Sequence, residues 1–236
     1  MMRRSLPPWI QLSAAAVHVY TASGVVLAFL IVLAAIQGNV SQALWLGLIA
    51  LFIDSTDGTL ARRFRVSETL PMFDGRRLDD IVDYLTYVFA PIVLLWISGY
   101  LPESTGGLLV AMAPLLASSY QFCRVDAKTD DHFFLGFPSY WNVVAFYVIV
   151  FNPSPFVTGA ILLICSLLVF VPIRYVYPSR TVAFQRLTLV LTGLWLICYA
   201  LITAQLPDPN RWLSTFSLLY LVYYAALSVY LTVSRR

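Results

Sequence analysis

Eight long apolar stretches, at about 14–36, 42–60, 79–98, 107–123, 136–151, 156–175, 186–204 and 212–233, follow one another along the chain. A helix needs about 20 predominantly apolar residues to cross a bilayer. In lipid the backbone must satisfy its own hydrogen bonds, and a helix does so within one segment. The sequence therefore predicts an all-α integral membrane protein, a bundle of about eight transmembrane helices. Composition agrees: 60% of the 236 residues are hydrophobic and 11% charged, whereas a soluble domain carries about 25% charged residues. Gly38-Asn39, Pro102-Glu103, Asn152-Pro153, Pro178 and Pro207-Asp208-Pro209 supply turns between the stretches. The fifth stretch is the weakest of the eight, because Pro138 and Asn142 interrupt it.

The opening MMRRSLPPWI precedes an apolar run too long for a signal-peptide core, so the first stretch reads as a retained helix. Cys123, Cys165 and Cys198 lack metal-ligand spacing and read as small packing residues, with no disulfide framework. No internal repeat or low-complexity segment interrupts the chain, and a single domain over residues 1–236 is expected.

Charge sets the expected orientation. Arg3 and Arg4, then Arg62, Arg63, Arg65, Arg76 and Arg77, then Arg124 and Lys128, then Arg174, Arg180 and Arg186, and finally Arg235 and Arg236 flank alternate ends of the stretches. With eight spans, fourteen of the fifteen basic residues fall on one side, Arg211 being the exception. Basic residues collect on the cytoplasmic side, so both termini are expected there. Ten of the twelve acidic residues share that side or its edge; Glu103 and Asp208 do not.

The chemistry concentrates in FIDSTDGTLARRFRVSETLPMFDGRRLDDIVD, residues 52–83. At about 100° per residue, Asp54, Asp57 and Ala61 share one face of the second helix. Asp79 and Asp83 stand one turn apart on the third. A carboxylate inside a spanning helix costs about 2.5–3.5 kcal/mol, and packing four together adds repulsion. Something cationic must offset that cost. Two divalent cations match four carboxylates in charge, and oxygen-only ligation favours hard ions such as Mg²⁺, Mn²⁺ or Ca²⁺. Gly58 and Ala61 clear space on the ligand face, Gly75 permits close approach to the backbone, and Arg62 offers charge to a phosphate. This combination describes a site for a nucleotide or diphosphate at the cytoplasmic edge of the bundle. Asp74 and Asp80 point elsewhere and read as solvated.

Asp54, Asp57, Gly58, Ala61 and Arg62, followed by Gly75, Asp79 and Asp83, resemble the signature of the CDP-alcohol phosphotransferases, D-x2-D-G-x2-A-R then G-x3-D-x3-D. Arg62 and Gly75 are separated by twelve residues; that longer gap is similar to the branch of bacterial phosphatidylcholine synthases. AVHVYTASGVVLAFL at 16–30, VSETLP at 66–71, DYLTYV at 83–88 and KTDDHFFLGFP at 128–138 resemble that branch as well. The resemblance implies transfer of a phosphatidyl group from CDP-diacylglycerol to choline in a bacterial inner membrane, giving phosphatidylcholine and CMP. It implies that Asp54, Asp57, Asp79 and Asp83 hold two divalent cations, Mn²⁺ or Mg²⁺, and that Asp83 is also the general base. Gly58, Ala61, Arg62, Gly75 and Thr21 are the expected contacts to CDP-diacylglycerol, with His18 either beside them or bonded within the bundle. A homodimer is left open, and no nucleic-acid partner is expected.

Choline carries no hydrogen on its nitrogen, so aromatic faces are the expected recognition element. Tyr84, Tyr87, Tyr120, Tyr140 and Trp141 are the candidates, with Phe133 and Phe134 nearby. Serine, inositol phosphate or glycerol phosphate remain alternative acceptors; a phosphate-bearing one would want a basic pocket, for which Arg124, Lys128 and Arg180 are available. A cation transporter is a rival of another class, but its site would sit near the midplane between repeats.

Overall fold

A computed structural model describes residues 8–234 of the chain. Arg3, Arg4, Arg235 and Arg236 lie outside the described residues. Among the described residues, six helices are long and apolar enough to cross a membrane: α1 (Pro8–Ile36), α2 (Val40–Arg63), α3 (Gly75–Ile97), α4 (Thr105–Cys123), α7 (Gln185–Thr203) and α8 (Arg211–Ser234). Two shorter apolar helices, α5 (Trp141–Phe151) and α6 (Pro155–Leu168), join them in an integral membrane bundle of about eight helices among the described residues.

The two short helices revise the expected spans at 136–151 and 156–175. α5 has 11 residues and α6 has 14, about 16 and 21 Å at 1.5 Å per residue, against a hydrocarbon core of about 30 Å. Just before residue 136 and at the end of the second of these stretches the chain forms an antiparallel pair, β1 (Phe133–Leu135) and β2 (Arg174–Val176), with Phe133 opposite Val176 and Leu135 opposite Arg174. Gly136 follows β1 with φ +85°, and a Cβ there would strike the carbonyl of Val169; Pro138 and Pro172 keep helix from closing over the pair.

A two-stranded sheet leaves an edge of unpaired backbone groups, which is costly where water is scarce. α8 removes the problem with a polar stripe spaced four residues apart. Arg174 N–H donates to Thr232 Oγ1 at 2.9 Å, Val176 N–H donates to Ser228 Oγ at 3.1 Å, and Tyr224 O–H donates to the Val176 carbonyl at 2.9 Å. The helix thus stands in for a third strand.

The core is built on close packing, because lipid tails give apolar helices little reason to associate otherwise. Small buried residues line the α1–α2 contact: Ala28, Ala34 and Ala35 against Ala43 and Ala50. Further in, Phe146 stacks on Tyr199 with ring centroids 3.9 Å apart, and Trp141 is fully buried with its indole N–H on Ser118 Oγ at 2.7 Å. Within α3, residues Tyr84–Phe89 form a π-helical turn, and Ala90 N–H reaches the Leu85 carbonyl. Pro91, which follows, has no N–H for the carbonyl four residues back. In an uninterrupted α-helix the stripe Asp79, Asp83, Tyr87 would drift around the axis, since 3.6 does not divide four. The wider turn takes up that drift and keeps Tyr87 on the carboxylate face.

Candidate active site

α1, α2 and α3 meet where the carboxylates lie. At Gly24 of α1 a Cβ would collide with Val82 of α3, so the missing side chain lets the two helices approach. That approach brings one carboxylate oxygen from each of Asp54, Asp57 and Asp79 within 4.8 Å of the others. Metal–oxygen bonds of hard divalent ions run about 2.0–2.6 Å, so oxygens on opposite sides of one ion stand about 4–5 Å apart. The three aspartates can therefore bind a metal ion, and the donor set is hard oxygen without histidine or cysteine. Asp83 lies beside Asp54, within electrostatic reach of it and of Asp79.

Neighbours fix two of the three carboxylates in place. Thr21, 7% exposed, donates its hydroxyl to Asp57 Oδ2 at 2.8 Å, and Asp57 itself is 6% exposed. Tyr87 donates its hydroxyl to Asp54 Oδ2. Such outer hydrogen bonds orient a ligand and hold its lone pairs on the metal side; losing one typically costs 10–100-fold in metal affinity. Thr21→Val, which keeps the shape and removes the donor, is expected to weaken Mn²⁺ binding by about that factor, with Thr21→Ser restoring it. Mn²⁺ titration followed by electron paramagnetic resonance checks this, and unchanged affinity in the valine variant would remove Thr21 from the site.

Thr21, expected among the nucleotide-lipid contacts, donates in the structure to Asp57. Gly58 and Ala61 are half-buried on α2, Arg62 is exposed, and its guanidinium is bonded to Thr59 Oγ1 at 3.0 Å. At Gly75 the group that comes close is His18: a Cβ there would sit 2.9 Å from its Cε1. The imidazole packs on Phe73 at 4.3 Å, and its buried Nε2 has no hydrogen-bond partner. Asp74 caps α3, accepting from the N–H groups of Arg76 and Arg77.

Lys128 is the basic residue that sequence reasoning did not connect to the carboxylates. Its Nζ is 3.7 Å from Asp80 Oδ1. Burial works against its charge, but Asp79, Asp83 and Asp80 outweigh burial and hold its pKa above the usual lysine value. Asp80 stands outside the converging trio of Asp54, Asp57 and Asp79 and tethers this lysine.

The five candidate aromatics separate into two groups. Tyr87 and Tyr140 stand together at the carboxylates, 6.0 Å between centroids. Tyr84 is engaged with α4, donating to the Leu115 carbonyl at 3.1 Å, Tyr120 is exposed against Phe170, and Trp141 is buried in the core. Phe134, Tyr177 and Tyr224 join the first group. For Tyr177 the sequence gives one legible sign, the alternation within Arg174–Tyr177 after Pro172.

The family model described as CDP-alcohol phosphatidyltransferase matches residues 15–230. Among curated relatives, a protein of Legionella bozemanae named phosphatidylcholine synthase is 44% identical over 197 residues, covering 80% of this chain and 90% of its own. One of Pseudomonas aeruginosa with the same name is 43% identical over 206 residues, covering 86% and 85%. One of Borreliella burgdorferi, again so named, is 35% identical over 222 residues, covering 93% and 94%.

Proposed function

The chain belongs to the CDP-alcohol phosphatidyltransferase family, and from that premise we propose that it transfers the phosphatidyl group of CDP-diacylglycerol to choline, releasing phosphatidylcholine and CMP. The observation that carries the reading is the convergence of Asp54, Asp57 and Asp79, three signature positions, within 4.8 Å. The names of the relatives favour choline as acceptor. Among the basic residues, Arg124 is bound to Asp126 at 2.7 Å and Lys128 is paired with Asp80, while Arg180 lies within electrostatic reach of Tyr177.

Asp54, Asp57 and Asp79 would hold two divalent cations, Mn²⁺ or Mg²⁺, with Asp83 completing the site. The bound ions supply charge stabilisation at the diphosphate and the CMP leaving group. The chain's own residues do the rest. Thr21 and Tyr87 keep Asp57 and Asp54 oriented, and Arg62 and Lys128 lend positive charge at the site's edge. Asp83 takes the proton of the choline hydroxyl as that oxygen bonds to the lipid-side phosphorus and the bond to CMP breaks. Gly58, Ala61 and Gly75 leave room for the nucleotide.

Purified protein given CDP-diacylglycerol and Mn²⁺ should release CMP with choline and far less with serine, inositol phosphate or glycerol phosphate. Release should stop with chelator and return with Mg²⁺ or Mn²⁺. Full turnover after exhaustive chelation, or a preference for another alcohol, would overturn the reading. The site is proposed to face the cytoplasm of a bacterial inner membrane, with both termini on that side. A reporter fused after Arg236 should then be active only inside the cell, and activity only outside would reverse the orientation.

A further inference from the structure

The small sheet has one face accounted for and one not. Phe133 and Val176 are buried against Leu227 and Leu231 of α8. Side chains alternate along a strand, so Phe134 and Tyr177 emerge on the other face, and both are only half-buried. Phe134 packs 4.6 Å from Tyr177, and its edge meets Tyr140 at 6.2 Å. Tyr140 is the hub: Tyr87 lies 6.0 Å away and Tyr224 6.3 Å away. Five rings from α3, β1, the entry to α5, the end of β2 and α8 thus converge on one place.

That place adjoins the carboxylates. Tyr87 is bonded to Asp54, and Tyr140 and Tyr177 both lie within electrostatic reach of Asp54, Tyr177 also of Lys128 and Arg180. We propose that Phe134, Tyr140, Tyr177 and Tyr224, closed on the carboxylate side by Tyr87, form the seat of the acceptor's quaternary ammonium. The two-stranded sheet brings two of its walls into position. This deepens the choline reading above and rests on it.

The chemistry of the ligand explains the choice of side chains. A trimethylammonium group has no N–H, so hydrogen-bond acceptors cannot select it. Aromatic faces attract it through their quadrupole. Two of the phenols have their hydroxyls tied elsewhere, Tyr87 to Asp54 and Tyr224 to the Val176 carbonyl, which fixes their ring planes. An ordinary packing cluster would be sealed, as the neighbouring Phe133 and Trp141 are. Phe134 and Tyr177 remain partly exposed at the mouth of the seat, with Tyr140 and Tyr224 set deeper. Seating the ammonium among these rings leaves the hydroxyl end of choline, two carbons away, free to turn toward Asp83.

The test uses the full-length protein in detergent with CDP-diacylglycerol and Mn²⁺. It compares choline with 3,3-dimethyl-1-butanol, the same shape without the charge. Wild type should prefer choline strongly. Phe134→Leu and Tyr177→Leu keep apolar bulk but lose the ring face. Each should raise the KM for choline about tenfold, within what one cation–π contact contributes, and lower the preference over the uncharged analogue by a similar factor. The KM for CDP-diacylglycerol should stay where it was, which also shows that the variants fold. Tyr177→Phe, which keeps the face, should recover most of the preference that Tyr177→Leu loses. An unchanged preference in both leucine variants, or equal rises in both KM values, would overturn the ring assignment while leaving the choline reaction standing. A wild-type enzyme that ignores choline but turns over another alcohol would overturn the reaction and the ring assignment together.

Discussion

Asp57→Asn is expected to lose CDP-diacylglycerol binding and CMP release together, with turnover down by about 10³-fold or more. Charge stabilisation by a catalytic metal contributes several kcal/mol, and each 1.36 kcal/mol is about tenfold in rate. Asn keeps the size of the side chain and one acceptor oxygen but removes the negative charge, at a position 6% exposed. It also leaves the Thr21 hydroxyl facing an amide instead of a carboxylate. Folding is not expected to suffer, since the change relieves repulsion among carboxylates packed within 4.8 Å. A ligand present at 100 times its Kd stabilises the state it binds by about 2.7 kcal/mol. Wild type should therefore show a rise in Tm on adding Mn²⁺, and the variant should not. A variant that keeps both the Mn²⁺-dependent rise and CMP release would show that Asp57 is no ligand.

The parts of the site legible in the sequence are those fixed by helix geometry alone. Asp54 and Asp57 lie three residues apart on α2 and Asp79 and Asp83 four apart on α3, so each pair shares a face wherever the helices go. That the two pairs meet depended on a short connection between neighbouring helices, and they do meet. The partners Thr21 and Tyr87 were visible as residues near the site but not as donors to particular carboxylates. The Thr21 bond requires α1 to pack closely at Gly24, a tertiary fact, and the Tyr87 bond requires a π-helical turn, a one-residue irregularity. Six of the eight helices followed from apolar length. The other two were overestimated at one end: residues 136–140 and 169–173 were counted as helix, although Gly136, Pro138 and Pro172 stop it there and the chain passes into the short strands instead. The edge of β2 is satisfied by Tyr224, Ser228 and Thr232, a stripe that reads in sequence as an ordinary polar face of a spanning helix.

Asp83→Asn is expected to separate chemistry from binding. Turnover should fall by at least about 10²–10⁴-fold, the usual contribution of a general base, while affinity for CDP-diacylglycerol is largely retained. The three oxygens that converge within 4.8 Å come from Asp54, Asp57 and Asp79, so the cluster that holds the diphosphate survives the change. What is lost is a group able to take a proton beside Asp54. Asp80→Asn is the informative control on the same helix. Its carboxylate is turned to Lys128 at 3.7 Å, and both side chains are close to half exposed. Exposed pairs contribute about 0–1 kcal/mol, so this variant should lose no more than about fivefold. Single-turnover CMP release, measured with nucleotide-lipid binding for both variants, separates the roles. Normal turnover in Asp83→Asn beside a dead Asp80→Asn would exchange them, and would move the proton-accepting position to the face of α3 that carries Lys128.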